Sequence, residues 1–159
     1  MTLPSYLESS NPRVPKADFP FRHSIPVQIR FSDVDMLGHL NNNVYLSLFD
    51  LAKLRYFSAV YGTDVTATHL CLVVVNINCN FLAPAFLNDS LEVWTRVVSI
   101  GHQSIKLEQR MVERSTGEIK CIANTVMAGF NPQSMTGQPI QQEQINLLEK
   151  FEQHSLQNV

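Results

Sequence analysis

The stretch from residue 44 to residue 61 limits the possible folds most strongly, because 13 of its 18 side chains are apolar or aromatic. The polar residues in it are Ser47, Asp50, Lys53, Arg55 and Ser58. A helix on a protein surface shows one apolar stripe, whereas a helix that is apolar around most of its circumference must be covered on most sides. The sequence therefore predicts a long central helix that the rest of the chain wraps.

Strands are predicted on both sides of this helix. Upstream, Ile25, Val27, Ile29 and Phe31 occupy every second position, a period-two pattern that predicts a strand ending near Ser32. Downstream, four more strand-like segments cover residues 71–81, 90–100, 103–113 and 119–130. The turns between the last three are too short for parallel crossovers, so the sheet is expected to be antiparallel.

One helix and about five antiparallel strands predict an α+β domain in which a curled sheet wraps the helix. This arrangement is the hot-dog fold. An open sheet with a helix on one face leaves an edge and apolar rims uncovered, so we expect dimerisation through a sheet edge.

The chain length of 159 residues favours one domain. Four prolines within the first 20 residues predict an extended N-terminal arm over residues 1–21. The hot-dog domain is then expected over residues 22–131. The tail, residues 132–159, is mostly polar and predicts a short amphipathic helix from about Glu143 to His154.

Composition excludes several classes of protein. A net charge of −2 argues against non-specific binding to nucleic acid. The sequence has no apolar run long enough to cross a bilayer and no signal-peptide pattern, so neither membrane insertion nor export is expected and a cytoplasmic location is predicted. Three cysteines without a C-x-x-C pair predict reduced thiols, and the scattered histidines predict no metal site and no other cofactor.

Chemistry-bearing residues are concentrated between the first strand and the helix, in the sequence DVDMLGHLNNN from residue 33 to residue 43. The asparagines are natural N-caps for the helix. A helix N-terminus favours negative charge, which suits the oxyanion that forms when a nucleophile attacks a carbonyl. The residues themselves therefore indicate acyl transfer.

The same segment, extended to Tyr45, resembles the motif D-x-D-x-x-G-H-x-N-N-x-x-Y of hot-dog acyl-CoA thioesterases, in particular the 4-hydroxybenzoyl-CoA thioesterase-like family. Gly101 and Ser104, on a predicted hairpin, also resemble that family, and the resemblance covers roughly residues 22–131. It implies hydrolysis of an acyl-CoA thioester, without a metal, in a homodimer or homotetramer.

The resemblance also implies residue roles. Asp35 would be the catalytic carboxylate, either as nucleophile or as general base on water, and both routes stay open. His39 would position the thioester or the water. The implied substrate-binding residues are Gly38, which supplies an unusual backbone shape, and Asn42, Tyr45 and Phe49.

Other acids and bases have simpler expected roles. Asp33 is expected to be structural, and Asp50 is the rival catalytic acid because another hot-dog branch uses an acid on the helix. The simplest role for Asp50 is a pair with Lys53, at a position where many relatives have arginine. Candidates for contacts with CoA phosphates are Arg96, Lys106, Arg110, Arg114 and Lys120, although such charges more often lie on a solvated sheet face.

Two other functions stay open at this point. The same residues would serve hydrolysis of an acyl group from acyl carrier protein, which requires a basic docking patch. A non-catalytic protein that binds acyl thioesters would keep the fold without the reaction. A hot-dog dehydratase needs a histidine and an acid placed across adjacent carbons, and the motif around Asp35 argues against that class.

Overall fold

The computed structural model describes residues 9–157, apart from the side chains of Ala67 and Thr68. Its strands are β1 (His23–Val27), β2 (Leu72–Phe81), β3 (Leu91–Ile100), β4 (Ser104–Glu113), β5 (Ile119–Asn131) and β6 (Thr136–Gly137). Its α-helices are α1 (Asn42–Tyr61), α2 (Ala67–Leu70) and α3 (Gln142–Glu152). No helix formed by these residues is both long and apolar enough to span a bilayer.

The strands form one antiparallel sheet in the order β1-β3-β4-β5-β2, and β6 pairs with the end of β5. Helix α1 packs on one face of this sheet and buries Tyr45, Phe49, Ala52, Tyr56, Phe57 and Val60. The predicted antiparallel sheet and central helix are therefore confirmed. The short β6 was not predicted, because two residues carry no periodic pattern.

The first strand ends earlier than the alternation of apolar residues predicted. Strand β1 stops at Val27, which pairs with Leu91, the first residue of β3. Beyond that point the neighbouring strand offers no backbone partner. The chain turns instead into a short 3-10 helix, Phe31–Asp33, and the Phe31 side chain is 84% exposed.

Helix α1 is covered on one side only, so the prediction that the chain wraps most of its circumference is wrong for the single chain. Leu46, Leu51 and Leu54 on the opposite side are each about 40% exposed. A sheet covers a helix from one direction, and α3 reaches only its C-terminal part through Tyr56 and the residues around it. The chain itself therefore leaves these leucines partly exposed.

The sheet face away from α1 is covered by the chain before β1. Phe19 and Phe21 are buried there, and the guanidinium carbon of Arg96 lies 4.3 Å from the centre of the Phe19 ring. Arg96 and Arg110 both donate to the buried carboxylate of Glu108, at 2.6 Å and 2.7 Å. The expectation of a solvated charged face is wrong here, because these arginines lie beneath the N-terminal segment and serve packing. The part of the expected arm before residue 9 lies outside the described residues.

The C-terminal segment belongs to the core. Helix α3 confirms the predicted amphipathic helix, and its Leu148 is fully buried with Tyr56 and with Leu156, which follows α3. The carboxylate of Glu152, 1% exposed, accepts hydrogen bonds from the Tyr56 hydroxyl (2.5 Å) and the Val97 N–H (3.1 Å). Among the described residues its second oxygen, Oε2, has no hydrogen-bond partner.

Burial raises the pKa of Glu152 to about 7, although the hydrogen bonds from Tyr56 and Val97 oppose this rise. Between its ordinary pKa of 4.5 and about 7, the folded chain binds more protons at this group than the unfolded chain does. The contribution of Glu152 to stability is therefore present at low pH and is lost as the pH rises through about 7. Deprotonation leaves a buried charge between α3 and β3.

Glu152→Gln should stabilise the protein increasingly as the pH rises from 5 to 8, because glutamine keeps the Oε1 acceptor and cannot ionise. We expect the free energy of unfolding at pH 8 to exceed that of the wild type by about 1–3 kcal/mol. Urea unfolding at several pH values measures this difference, and His23, whose pKa is lowered by burial, contributes equally to both proteins. The exposed Glu143→Gln serves as control, and a pH-independent difference at Glu152 would contradict the assignment.

Candidate active site

The loop before α1 is held together by its own backbone and by Asp35. The Asp35 N–H donates to the carbonyl of His39 (2.9 Å), and the Gly38 N–H donates to the carbonyl of Asp35 (3.0 Å). The Asp35 carboxylate oxygen Oδ1 accepts from the N–H groups of Leu37 (2.9 Å) and His39 (3.1 Å). Gly38 has a φ of 77°, a left-handed conformation that glycine adopts without strain.

Asp33 anchors this loop through contacts with Arg30 and Asn41. It is buried, and Arg30 contacts it through both the guanidinium and the backbone N–H (2.8 Å to Oδ2). The side-chain hydrogen bond from Arg30 holds the pKa of Asp33 below its ordinary value. The Asp33 carbonyl accepts from the Asn41 N–H (2.9 Å), so the same residue fixes both ends of the loop. The structural role expected for Asp33 is confirmed.

Helix α1 begins without the side-chain cap that the sequence predicted. Asn41 is the N-cap residue, but its side chain makes no capping hydrogen bond, and only its carbonyl accepts, from the Val44 N–H (3.0 Å). The predicted position of an asparagine N-cap is therefore confirmed at Asn41, whereas the expected side-chain hydrogen bond is absent. Asn42 and Asn43 are exposed in the first turn. The positive end of the helix dipole is consequently left to interact with a ligand.

An open pocket of about 350 Å³ lies beside this helix N-terminus. Its lining residues are His39, Leu40, Asn42, Tyr45, Phe81, Leu82, Ala83 and Pro84. The His39 ring packs edge-on against Phe86, with ring centres 5.3 Å apart. The Leu40 N–H donates to the Ala85 carbonyl (2.8 Å), so the loop and the segment after β2 form one continuous wall.

Tyr45 forms the floor of the pocket. Its ring packs edge-on against Phe81 at 5.1 Å between centres, and the residue is 2% exposed. Burial raises the pKa of Tyr45 to about 12. The phenol therefore stays protonated at neutral pH and adds a polar group to the lining, beside His39 and Asn42.

The structure brings some of the predicted site residues together and separates others. His39, Asn42 and Tyr45 line the pocket, and Asp35 and Gly38 lie on the adjoining loop, where the Asp35 side chain is exposed. Phe49 lies deeper: it is 2% exposed, packs beside Tyr45, and its carbonyl accepts from the amide of Gln109 (2.9 Å). In the single chain Phe49 is a core residue behind the pocket.

The segment from Phe81 to Phe86 was missed as part of the site, since the sequence marked only a turn at Pro84. Its apolar residues line the pocket because β2 ends beside the loop, which is a long-range contact. The expected pair of Asp50 and Lys53 is confirmed at 3.0 Å. Lys53 is buried and Asp50 is exposed, and Asp50 is not among the residues that line the pocket.

Comparisons with known proteins show which family this chain resembles. A family model described as the thioesterase-like superfamily matches residues 29–148. The long-chain acyl-CoA thioesterase FadM of Escherichia coli (strain K12) is 28% identical over 97 residues, which cover 58% of this chain and 71% of the relative. The acyl-CoA thioesterase YbgC of Haemophilus influenzae is 28% identical over 108 residues, which cover 62% of this chain and 79% of the relative.

A solved thioesterase from Thermus thermophilus, complexed with coenzyme A and Zn, superposes with a TM-score of 0.75 and 27% sequence identity. The match covers 82% of this chain and 94% of that one. This similarity confirms the predicted hot-dog fold. In the present chain, no group of three or more His, Cys, Asp or Glu side chains among residues 9–157 is arranged to hold a metal ion.

Gly38→Ala should destabilise the loop without a steric clash. No atom lies within 4 Å of the added methyl group, so the cost comes from the left-handed backbone alone, about 1–2 kcal/mol. We expect a lower free energy of unfolding and a larger relative loss of activity, measured by urea unfolding and by thiol release. Gly137→Ala is the matched control, because Gly137 has no positive φ and the nearest atom to its added methyl group is 3.8 Å away. Equal effects of both substitutions would contradict the role of Gly38.

Proposed function

This chain belongs to the thioesterase-like superfamily, and we propose that it hydrolyses acyl-CoA thioesters with Asp35 as the catalytic carboxylate. The observation that carries the proposal is the position of Asp35: an exposed carboxylate, held through one oxygen by two backbone N–H groups, beside a pocket at the N-terminus of α1. The similarity to named acyl-CoA thioesterases supports CoA as the carrier of the acyl group.

Two routes are compatible with this arrangement. In the first, a carboxylate oxygen of Asp35 bonds to the thioester carbon, the C–S bond breaks, the CoA thiolate leaves and takes up a proton, and water hydrolyses the mixed anhydride. In the second, Asp35 removes a proton from water, the resulting hydroxide adds to the carbonyl carbon, and the thiolate leaves with that proton. The N-terminal N–H groups of α1 would stabilise the oxyanion in both routes.

The remaining site residues receive supporting roles in this proposal. His39 positions the thioester or the water, since it shares the loop with Asp35 and lines the pocket. Asn42 and Tyr45 contact the substrate from the helix side of the pocket. Gly38 holds the loop in the shape that presents the Asp35 carboxylate. Phe49 packs against Tyr45 and so helps to position the Tyr45 side chain that contacts the acyl group.

Asp35→Asn should lower kcat at least about 100-fold. The substitution tests chemistry rather than folding, because the asparagine oxygen can still accept from the N–H groups of Leu37 and His39. Thiol release from short, medium, long and aromatic acyl-CoAs measures the rate. The matched control is Asp50→Asn, which should stay within about threefold of wild type, since Asp50 is paired with Lys53 outside the pocket lining.

The pattern across the two variants identifies the acid. A rate that falls in Asp50→Asn and not in Asp35→Asn would assign catalysis to the helix acid. Wild-type protein that releases thiol from no acyl-CoA in the panel would contradict the proposal, and would favour either an acyl carrier protein substrate or a non-catalytic acyl-thioester binder.

We further propose that the active protein is a homodimer, or a homotetramer of such dimers, that associates through β2. This strand is an edge of the sheet, and its Val73, Val75 and Ile77 side chains are exposed in the single chain. An unpaired apolar edge favours strand pairing with a second copy.

Val75→Lys should weaken this association. Val75 is the most exposed apolar side chain of β2, and a lysine at the edge disfavours strand pairing. Light scattering after size-exclusion chromatography should show a shift toward monomer. Met135→Lys replaces an exposed apolar residue in the turn between β5 and β6, and should leave the mass unchanged. A wild-type monomer, or an unchanged mass in Val75→Lys, would contradict the β2 interface.

The cytoplasm is the compartment that we propose. Cys71, Cys79 and Cys121 form no disulfide bond. Cys79 and Cys121 lie on the neighbouring strands β2 and β5 without forming a disulfide. Free thiols on adjacent strands are typical of proteins in a reducing environment.

A further inference from the structure

A second cleft, of about 470 Å³, lies next to the candidate active site. It is formed by the N-terminal segment and the turn between β4 and β5, and its lining residues are Ser9, Ser10, Asn11, Arg13, Leu82, Ala83, Thr116, Gly117, Glu118 and Ile119. Leu82 and Ala83 also line the pocket that contains His39 and Tyr45. The two cavities therefore share a wall.

The shared wall is fixed in place from both sides. The N–H groups of Leu82 and Ala83 donate to the carbonyl of Lys120, at 2.8 Å and 3.2 Å. From the other side, Arg13 Nη2 donates to the Leu82 carbonyl (2.8 Å). The backbone N–H of Arg13 in turn donates to the Asn11 side chain (3.0 Å). The hydrogen bond to Leu82 thus holds the guanidinium of Arg13 against the wall between the two cavities.

The chemistry of this cleft suits a phosphorylated ligand. A guanidinium carries five N–H donors, and the bond to Leu82 uses one of them. Arginine binds phosphate through charge-assisted hydrogen bonds. The acid that lines the cleft, Glu118, is in contact with the ammonium of Lys120, which lowers its repulsion of an anion. Hydroxyl and amide side chains supply the remaining polar lining.

Four of the five cations named from the sequence are less suited to this task, and the fifth, Lys106, is exposed but lines neither cavity. Arg96 and Arg110 are buried beneath the N-terminal segment and bound to Glu108. Lys120 is buried between Glu118 and Asp89, and Arg114 is paired with Glu92 at 3.2 Å. Arg13 lies beside the pocket and is exposed.

We propose that the cleft around Arg13 binds the phosphates of the CoA nucleotide while the thioester lies in the adjoining pocket. The proposal rests on the proposed acyl-CoA thioesterase function. Arg13 precedes the residues 29–148 that match the family model, so the subsite is a feature of this chain's own N-terminal segment. Binding energy from the nucleotide would then hold the substrate without entering the chemical step.

The test compares two thioesters of one acyl group, acyl-CoA and acyl-N-acetylcysteamine, which lacks all phosphates. In Arg13→Ala, KM for acyl-CoA should rise about fivefold to tenfold with kcat unchanged, and kinetics with the truncated thioester should equal those of wild type. Arg13→Lys should show a smaller rise in KM, because lysine keeps the positive charge but cannot donate two parallel hydrogen bonds to one phosphate. Lys150→Ala, which removes an exposed cation from α3, is the control and should change the kinetics of neither substrate.

Calorimetry with free CoA and with pantetheine separates this proposal from the catalytic one. Arg13→Ala should weaken CoA binding by a similar factor and leave pantetheine binding unchanged, even if the wild type hydrolyses no acyl-CoA. An unchanged Kd for CoA and an unchanged KM for acyl-CoA would overturn the subsite and leave the thioesterase proposal intact. Equal losses with acyl-CoA and the truncated thioester would also overturn it, since they would show that Arg13 supports the wall rather than the phosphates.

Discussion

The packing of α1 against the sheet is the contact on which the rest of the structure depends. Tyr45, Phe49 and Ala52 pack against one part of the sheet, and Tyr56 and Phe57 pack against another part together with α3. Burial of these side chains supplies much of the hydrophobic stabilisation of the chain. It also fixes the N-terminus of α1 beside the end of β2, where the loop with Asp35 and the segment from Phe81 to Phe86 meet.

The site is built from short elements that this rigid frame holds in position. Asp33 anchors the loop through Arg30 and Asn41, and Asp35 then orders the remaining residues through backbone hydrogen bonds. The Asp35 carboxylate thus both shapes the loop and stands exposed beside the pocket. A structural role and a chemical role are compatible in one residue, because a carboxylate has two oxygens and the backbone engages Oδ1.

Two groups of buried charged residues lie away from the site. Arg96, Glu108 and Arg110 lie between the sheet and the N-terminal segment, and Glu152 lies between α3 and β3. Arg96 and Arg110 donate hydrogen bonds to both oxygens of the Glu108 carboxylate. Glu152, in contrast, has one buried oxygen without a hydrogen-bond partner among the described residues. Both clusters hold terminal segments against the core, so the segments before β1 and after β5 are integral parts of the packed structure.

The sequence by itself determined the helix, the antiparallel strands and the loop motif, because each depends on local periodicity or composition. It did not determine that Phe49 lies in the core, that Arg96 and Arg110 lie beneath the N-terminal segment, or that the segment after β2 forms a wall of the pocket. Those features depend on contacts between residues far apart in the chain, such as Gln109 with Phe49 and Arg110 with Pro15. Local pattern assigns a side chain to an element and a face, and only tertiary packing decides what covers that face.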